Sequence, residues 1–269
     1  MSASSPPFAF ADGGPERLMR VDGLAWRDRD VLARMTTGPW LRSPAGRPGL
    51  GALGVLVDNV LGRAIMGQGQ DAPWSVSLEI GIDLVGRLPL DGSVLSAVGV
   101  AQERDARGGL ATAEVRDASG AVVALARQRG FSVPRPTEPP GGLETGPAVD
   151  VSSDDLLALL GGRLQRGTAG AVLVMEADPR VTNPLGNLHG GISLCAVEQV
   201  AAACLDGPPS PLHPVSVQVT YVRPVPSGAQ VAFTAQALHR GRSVGLVHVV
   251  GAVAGGPPCV VGTVVAQAG

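Results

Sequence analysis

A histidine and two glycines ahead of a long apolar segment form the stretch of this chain best suited to chemistry. His189 is followed by Gly190 and Gly191, and the segment after them, residues 192–205, carries one charge, Glu198. A segment that is apolar on all sides is typical of a buried helix, where a carboxylate is unfavourable unless it is paired, protonated or used. The first N–H groups of a helix lack partners, and glycines let a ligand approach them. This arrangement is suited to stabilising a developing oxyanion.

A second apolar segment, residues 50–66, repeats the pattern in the first half of the chain. Its acid, Asp58, is followed by Asn59, just as Glu198 is followed by Gln199, and valine flanks both pairs. Two apolar helices match easily by chance, but two with the same internal acid and amide do not. We therefore predict two sister helices that position the two acids.

Segments rich in Val, Ile, Leu and Thr follow both helices, and turn residues separate them as in an antiparallel meander. We predict strands at 74–85, 92–102, 110–116, 121–133, 215–223, 229–238, 243–253 and 258–266. The predicted fold class is therefore α+β. Each of the two similar halves contains a long buried helix followed by about four antiparallel strands.

The remaining segments are shorter and more polar. We expect a frayed segment at 1–17, a strand at 18–26, a helical turn at 28–35 capped by Asp28, a short helix at 154–160 and a strand at 171–177. Residues 134–147 contain five prolines and are predicted to be an extended linker. These patterns predict an N-terminal domain at 18–133, a linker at 134–150 and a C-terminal domain at 151–269.

Composition and charge exclude several classes of protein. The chain has 269 residues, 45% of them hydrophobic, and a net charge of −2, so neither a disordered chain nor a binder of nucleic acid or anionic membranes is indicated. No segment has the length of a membrane span, and the first residues lack the pattern of a signal peptide. The three cysteines lie in apolar surroundings without metal-ligand spacing, so we predict buried thiols and no metal site. We expect a soluble, cytoplasmic protein.

With the residues around it, the His-Gly-Gly motif resembles that of a known family. Asn183 lies six positions before the histidine, Gly186 lies between them, and Glu198 follows nine positions after it. This pattern resembles the hotdog-fold acyl-CoA thioesterases of the phenylacetate-pathway type. The first half resembles the same domain without the loop residues, since Ser43 and Gly49 stand where the asparagine and the histidine would be. The resemblance implies a tandem double hotdog, in which the two halves form an intramolecular pseudo-dimer.

The resemblance also implies where the active sites lie. In this family, the loop of one domain and the helix acid of its partner form each site. One site would combine Asn183 and the loop at 189–191 with Asp58, and the other would combine Glu198 with the altered loop at 43–51. Our hypothesis is that only the first site is fully equipped.

Each candidate catalytic residue receives a role from this resemblance. The N–H of Gly190 would polarise the thioester carbonyl and stabilise the oxyanion. Asp58, or Glu198 in the other site, would act as a general base on water or as a nucleophile. Asn183 would orient the water or the carbonyl, and His189 would brace the loop.

Further residues are predicted to bind the substrate. By resemblance, Ser216 aligns with a strand hydroxyl near the acid, and its counterpart in the first half would be Ser77. Coenzyme A carries phosphates, which suit arginine. We therefore predict phosphate contacts at one sheet corner and in one turn between strands, namely Arg223, Arg240, Arg242 and Ser243. A solvated turn is an alternative interpretation of the last three.

The predicted function is the hydrolysis of an acyl-CoA to the free acid and coenzyme A. Coenzyme A would enter as part of the substrate, with no separate cofactor, and the family suggests a homo-oligomer of pseudo-dimers. One alternative is a non-catalytic acyl-CoA-binding or regulatory module, because the first half has lost its loop residues. A second alternative is a hotdog enoyl-CoA hydratase, whose loop residues 178–185 faintly resemble. It is the weaker one, because the histidine after these residues is displaced from the position that family uses.

Overall fold

One antiparallel sheet wraps around two long helices in this chain. The computed structural model describes residues 13–43, 46–68, 74–134, 155–167, 170–207 and 211–269. Its helices are α1 (Gly14–Leu18), α2 (Gly54–Met66), α3 (Leu156–Leu159) and α4 (Gly190–Leu205), with short 3-10 turns at Pro39–Leu41 and Leu50–Leu53. Its strands are β1 (Val21–Arg27), β2 (Asp30–Thr36), β3 (Trp74–Leu84), β4 (Val94–Asp105), β5 (Gly108–Arg116), β6 (Val122–Val133), β7 (Arg163–Arg166), β8 (Gly170–Glu176), β9 (Leu212–Tyr221), β10 (Gln230–Arg240), β11 (Val244–Val253) and β12 (Pro258–Ala268).

The order of the strands relates the two halves by an approximate two-fold axis. Across the described residues the order is β1-β2-β4-β5-β6-β3-β9-β12-β11-β10-β8-β7. The first six strands and the last six therefore follow the same path from opposite edges of the sheet. The halves join where β3 pairs antiparallel with β9, with Gly81 opposite Gln218. The predicted α+β arrangement of two sister halves is confirmed.

The segment at 28–35 forms a hairpin turn and most of strand β2, so the prediction of a helical turn was wrong. Val31, Ala33 and Met35 of β2 are buried and alternate with more exposed residues, which is the period of a strand. Asp28 caps no helix; it lies in the turn between β1 and β2 with a φ of 55°, a conformation that aspartate adopts more readily than most residues.

The start of each half contains more structure than the sequence indicated. Residues 14–17 were expected to be frayed, but they belong to α1, in which Glu16 and Leu18 are buried. The strand β7 was not predicted. Within the described residues, each half therefore has two strands ahead of its long helix and four strands after it.

Both long helices lie in the core, as their composition predicted. Thirteen of the sixteen residues of α4 are buried, and so are eight of the thirteen residues of α2. Burying a Leu or Val side chain contributes roughly 1.5–3 kcal/mol relative to leaving it exposed. The two helices therefore hold the sheet around them and fix the positions of Asp58 and Glu198.

The first turns of α2 and α4 touch backbone to backbone. A Cβ atom added to Gly191 would lie 2.3 Å from the carbonyl carbon of Gly54, so neither position has room for a side chain. Asp58 lies one turn after Gly54 on α2. This contact therefore brings the carboxylate of the first half next to the N-terminus of the helix of the second half.

The connection between the halves lies mostly outside the described residues. Residues 135–154 include most of the predicted linker, so the boundaries at 18–133, 134–150 and 151–269 stay predictions. The second half begins with α3, whose N-terminus is capped by the Asp155 side chain through the N–H groups of Leu157 and Ala158. Among the described residues, no helix has the length and apolar character needed to cross a membrane.

Candidate active site

A cavity of about 460 Å³ opens between the two halves and is lined by four of the six predicted catalytic residues, Asp58, Asn183, His189 and Gly190. Its apolar wall includes Leu24, Met66, Trp74, Leu188, Val222 and Val260. Its polar groups come from both halves, with Asp58 on one side and the loop before α4 on the other. A largely apolar pocket with a few convergent polar groups is the usual form of a small-molecule site.

Asp58 connects the halves through hydrogen bonds to both of its carboxylate oxygens. Its Oδ1 accepts from the Ser77 hydroxyl at 2.9 Å, and its Oδ2 accepts from the Gly191 N–H at 3.0 Å. The side chain is 12% exposed, so it reaches the cavity. Ser77 in turn accepts from the Gln128 amide nitrogen at 2.9 Å. The carboxylate is therefore held from two sides with one edge open to the cavity.

The loop at 189–191 has little freedom next to this carboxylate. The N–H of Gly191 is shared between Asp58 and the Nδ1 atom of His189, at 3.0 Å and 3.1 Å. A Cβ atom at Gly190 would lie 2.7 Å from Oδ2 of Asp58, so only glycine fits this position without displacing the acid. Within the described residues, the Gly190 N–H has no acceptor. It is therefore the available donor at the start of α4.

Tyr221 closes the same corner of the cavity. Its hydroxyl donates to the Gly190 carbonyl oxygen at 2.7 Å. Burial, together with the nearby charge of Asp58, raises the pKa of Tyr221 well above its usual range. The phenol therefore stays protonated, and its hydrogen bond occupies the Gly190 carbonyl oxygen.

Asn183 shapes the loop more than the sequence indicated. Its side-chain oxygen accepts from the N–H groups of Leu185 and Asn187, at 3.0 Å and 3.2 Å, which forms a turn of the kind asparagine favours. Gly186 completes the turn with a φ of 72°, in the left-handed region that favours glycine. Because its oxygen is engaged, Asn183 can offer the cavity only its amide N–H groups.

Glu198 lies outside this cavity. Only 1% of it is exposed, and its Oε2 accepts from the Gln199 amide nitrogen at 2.7 Å. Burial raises the pKa of Glu198 to about 7, against the weaker opposing effects of Gln199 and the backbone of Gly51. The structure therefore does not place Glu198, which was predicted as catalytic, with the other catalytic candidates.

Of the predicted substrate-binding residues, the structure brings one to the cavity. Arg223 lines it, and the Arg223 guanidinium donates to the Pro258 carbonyl. Ser216 pairs with Asp83 across the junction of the halves and does not line the cavity. Its supposed counterpart, Ser77, is the residue that contacts a helix acid.

The predicted phosphate-binding turn lies at the other end of α4. Arg240 donates to the carbonyl of Gly207, just beyond the C-terminus of the helix, while Arg242 and Ser243 are exposed. A helix of sixteen residues is about 24 Å long, and the cavity lies at its N-terminus. We therefore leave this turn out of the proposed site.

Several polar residues of the cavity were not among the predicted site residues, including Glu16, Gln128 and Tyr221. Gln128 lies on the inward face of β6 together with Ala124 and Ala126. A polar residue on an otherwise apolar face is a sequence signal that could have identified Gln128 as a site residue. Tyr221 follows Val217 and Val219 on the inward face of β9 in the same way. Glu16 offered no signal, since it lies in a polar segment rich in proline and glycine.

Two family models of acyl-CoA thioesterase domains match the sequence. The model of the C-terminal domain matches residues 3–132, and the model of the N-terminal domain matches residues 179–267. The halves therefore occur in the reverse order of the model names, and the two matches together cover most of the chain.

Three solved structures match across nearly all of the chain. One from Novosphingobium aromaticivorans, assigned as a thioesterase, is 13% identical with a TM-score of 0.62 and covers 91% of this chain and 98% of that one. An acyl-ACP thioesterase from Bacteroides thetaiotaomicron is 16% identical with a TM-score of 0.59, covering 89% and 98%. A protein from Lactobacillus plantarum, assigned as an oleoyl thioesterase, is 14% identical with a TM-score of 0.59, covering 89% and 96%. A search of curated proteins finds no match.

At these identities the structural matches show the fold alone, and this fold is the predicted double hotdog. Fold and family models together define a thioester hydrolase of the hotdog class. The chain belongs to the acyl-CoA thioesterase family, as the resemblance of its loop motif indicated.

Proposed function

We propose that the chain hydrolyses an acyl-CoA at one composite site, formed by Asp58 of the first half and the loop at 189–191 of the second. The observation that carries this proposal is the hydrogen bond from the Gly191 N–H to Asp58 across the halves, at the wall of the cavity that Asp58 and Gly190 line. It places a carboxylate beside the free N–H of Gly190. A base and an oxyanion donor side by side are what thioester hydrolysis requires.

In the proposed mechanism, the thioester carbonyl oxygen faces the Gly190 N–H and water lies beside Asp58. Water attacks the carbonyl carbon while Asp58 takes one of its protons, and the oxyanion forms against the Gly190 N–H and the positive end of α4. When the intermediate collapses, the carbon–sulfur bond breaks. The sulfur takes the proton held by Asp58, so coenzyme A leaves as the thiol and the acyl group as the acid.

The polar groups behind Asp58 favour a general base over a nucleophile. Ser77 and Gly191 donate to its two oxygens, which disperses their charge and fixes the carboxylate plane. Gln128 is 1% exposed, and its side-chain oxygen has no partner within the described residues. We propose that the attacking water donates to this oxygen as well as to Asp58.

The substrate would place its coenzyme A portion at the mouth near Arg223, where a guanidinium can contact phosphate. The acyl group would lie against the apolar wall that includes Trp74 and Met66. Gly62 lines the cavity one turn after Asp58, and a Cβ atom there would meet only the amide nitrogen of Gln128, at 3.6 Å. This opening beside the acid leaves room for the acyl group.

The test is release of thiol from a panel of acyl-CoAs, followed with a disulfide reagent, for the wild-type chain and Asp58→Asn. We expect turnover by the wild type and binding without turnover by the variant. Binding without turnover by the wild type would instead favour the acyl-CoA-binding module.

A single turnover in ¹⁸O-labelled water tests for a nucleophilic Asp58 whose anhydride is opened by water at the Asp58 carbon. Direct attack by water puts the label in the released acid and leaves the peptide that contains Asp58 unlabelled. Label in that peptide would mean that Asp58 is a nucleophile.

A further inference from the structure

Glu16 is a buried carboxylate that the mechanism above does not use. It lies on α1, is 5% exposed and lines the cavity. A carboxylate at such a depth needs specific partners. Its Oε1 accepts from the Asn59 amide nitrogen at 3.1 Å and lies 3.8 Å from Nε2 of His189. The second distance is within ion-pair range and longer than a direct hydrogen bond.

His189 lies between Glu16 and Asp58, which face its two ring nitrogens. Its Nδ1 is 3.1 Å from the Gly191 nitrogen and 3.4 Å from Oδ2 of Asp58. If the ring proton is on Nε2, it points at Glu16, and Nδ1 accepts the Gly191 N–H. If the proton is on Nδ1, it points at Asp58 and meets the hydrogen of Gly191.

We propose that Glu16 is a positioning residue that keeps the proton of His189 on Nε2. With the proton there, Nδ1 remains an acceptor for the Gly191 N–H, and no imidazole N–H competes with water for Oδ2 of Asp58. Without Glu16, a proton on Nδ1 would hydrogen-bond to Asp58 and occupy the base. The catalytic consequence rests on the proposed function, whereas the position of the proton does not.

The other half of the chain supplies an internal comparison. Corresponding residues lie 140 positions apart, so Leu156 corresponds to Glu16 and Gly49 corresponds to His189. Leu156 reaches the equivalent place against the loop of the other half, since a Cβ atom at Gly49 would lie 3.1 Å from a methyl group of Leu156. The acid and the histidine are thus present together in one site and replaced together in the other, which is expected if they act as a pair.

The amide residues that follow the two helix acids also differ in their partners. Asn59 donates to Glu16, whereas its counterpart Gln199 donates to Glu198 on its own helix. Leu156 offers no acceptor, so Gln199 has to find one elsewhere. Asn59 therefore holds Glu16 in place for His189.

The direct test is ¹⁵N NMR of histidine-labelled protein, because the chain contains only four histidines. We expect His189 of the wild type to carry its proton on Nε2 and Glu16→Leu to shift it toward Nδ1. Glu16→Gln should keep the wild-type tautomer, because its amide oxygen still accepts from Nε2. Leu156→Met is the control in the other half and should leave the His189 signal unchanged. An unchanged tautomer in folded Glu16→Leu would overturn the proposal, whether or not the protein is active.

Kinetics provide the second test. Glu16→Leu should lower kcat about 10- to 100-fold with KM within about twofold, since general-base catalysis contributes 10²–10⁴. Glu16→Gln should restore most of kcat. In a His189→Ala background, Glu16→Leu should have no further effect on kcat, because its action passes through the imidazole. Equal losses in both backgrounds would show that Glu16 does not act through His189.

Discussion

The loops ahead of α2 and α4 share backbone hydrogen bonds and carry different side chains. In the first half, Ser43 donates its N–H to Arg47 at 2.8 Å, and in the second, Asn183 donates its N–H to Asn187 at 2.7 Å. Each loop also forms one isolated bridge at the same place, Arg42 with Pro48 and Thr182 with Leu188. The fold needs the backbone bonds, so both copies keep them. The proposed chemistry needs the side chains, and only the second loop has them.

The two helix acids also differ in their surroundings. Asp58 faces the complete loop and reaches the cavity, whereas Glu198 faces the altered loop and is sealed by Gln199, Gly51 and Leu156. A pair of halves that share a fold can therefore concentrate the chemistry in one of two related sites. The following predictions test how complete this division is.

Replacing the two acids in turn should give the largest contrast. Asp58→Asn should lower kcat by about 10³-fold, because it removes the base while keeping the shape. Glu198→Gln is the matched change in the sealed site and should leave kcat within about twofold. Steady-state thiol release from one acyl-CoA measures both. Loss of turnover in Glu198→Gln alone would place the active site in the other pair of residues.

Adding one methyl group to each loop should separate catalysis from packing. Gly190→Ala puts a Cβ atom 2.7 Å from the Asp58 carboxylate and should lower kcat about 10²-fold, a loss typical of a disturbed oxyanion donor. Gly51→Ala puts it 2.8 Å from the Cα atom of Cys195 and should destabilise the fold by about 1–3 kcal/mol. The kcat of folded Gly51→Ala should be unchanged. The measurements are kcat and the free energy of unfolding of both variants. A stable fold with lowered kcat in Gly51→Ala, or a destabilised fold with unchanged kcat in Gly190→Ala, would contradict this division.

Stability should depend on pH through the sealed acid. The native pKa of Glu198 is about 7, above its ordinary value of 4.5, so the native state holds a proton that the unfolded chain loses between these values. The contribution of Glu198 to stability therefore falls as pH rises from about 4.5 to 7 and is constant above that. Glu198→Gln cannot titrate, so its stability relative to the wild type should rise by about 3 kcal/mol across this window. Denaturant unfolding of both proteins at pH 4.5 and pH 8 measures this, and an equal difference at both pH values would refute the assignment.

The smallest contrast concerns the two arginine sites. Arg223→Ala, at the cavity mouth, should raise KM for an acyl-CoA about threefold to tenfold through a lost phosphate contact, with kcat nearly unchanged. Arg242→Ala, at the far end of α4, should change neither. Measuring KM for the acyl-CoA and for a short pantetheine thioester locates the effect, since the latter lacks the nucleotide phosphates. A rise in KM for Arg242→Ala alone would show that the turn containing Arg242, and not Arg223, binds the phosphates.

Much of this division was visible in the sequence. The repeated acid–amide pair predicted two sister halves, and the loop motif at 183–191 predicted which half supplies the donors. Strand segments were recognisable because buried and exposed residues alternate. The segment at 28–35 was misread because one hairpin turn of charged residues also fits a helix start.

The rest depends on contacts between distant parts of the chain. Glu16 becomes buried only because α1 packs beside a histidine that comes much later in the sequence. The sealing of Glu198 by Leu156 likewise follows from α3 docking against the first half. Local composition does not indicate either contact. A sequence pattern could therefore identify the two helix acids but could not predict which residues surround each of them.

Calorimetric titration of the wild-type chain with a non-hydrolysable thioether analogue of an acyl-CoA tests most directly whether each chain has one working site. We expect one molecule bound per chain, with binding weakened by Gly190→Ala and unaffected by Glu198→Gln. Two equivalent molecules per chain would contradict the account, because the second helix acid would then also face an open site.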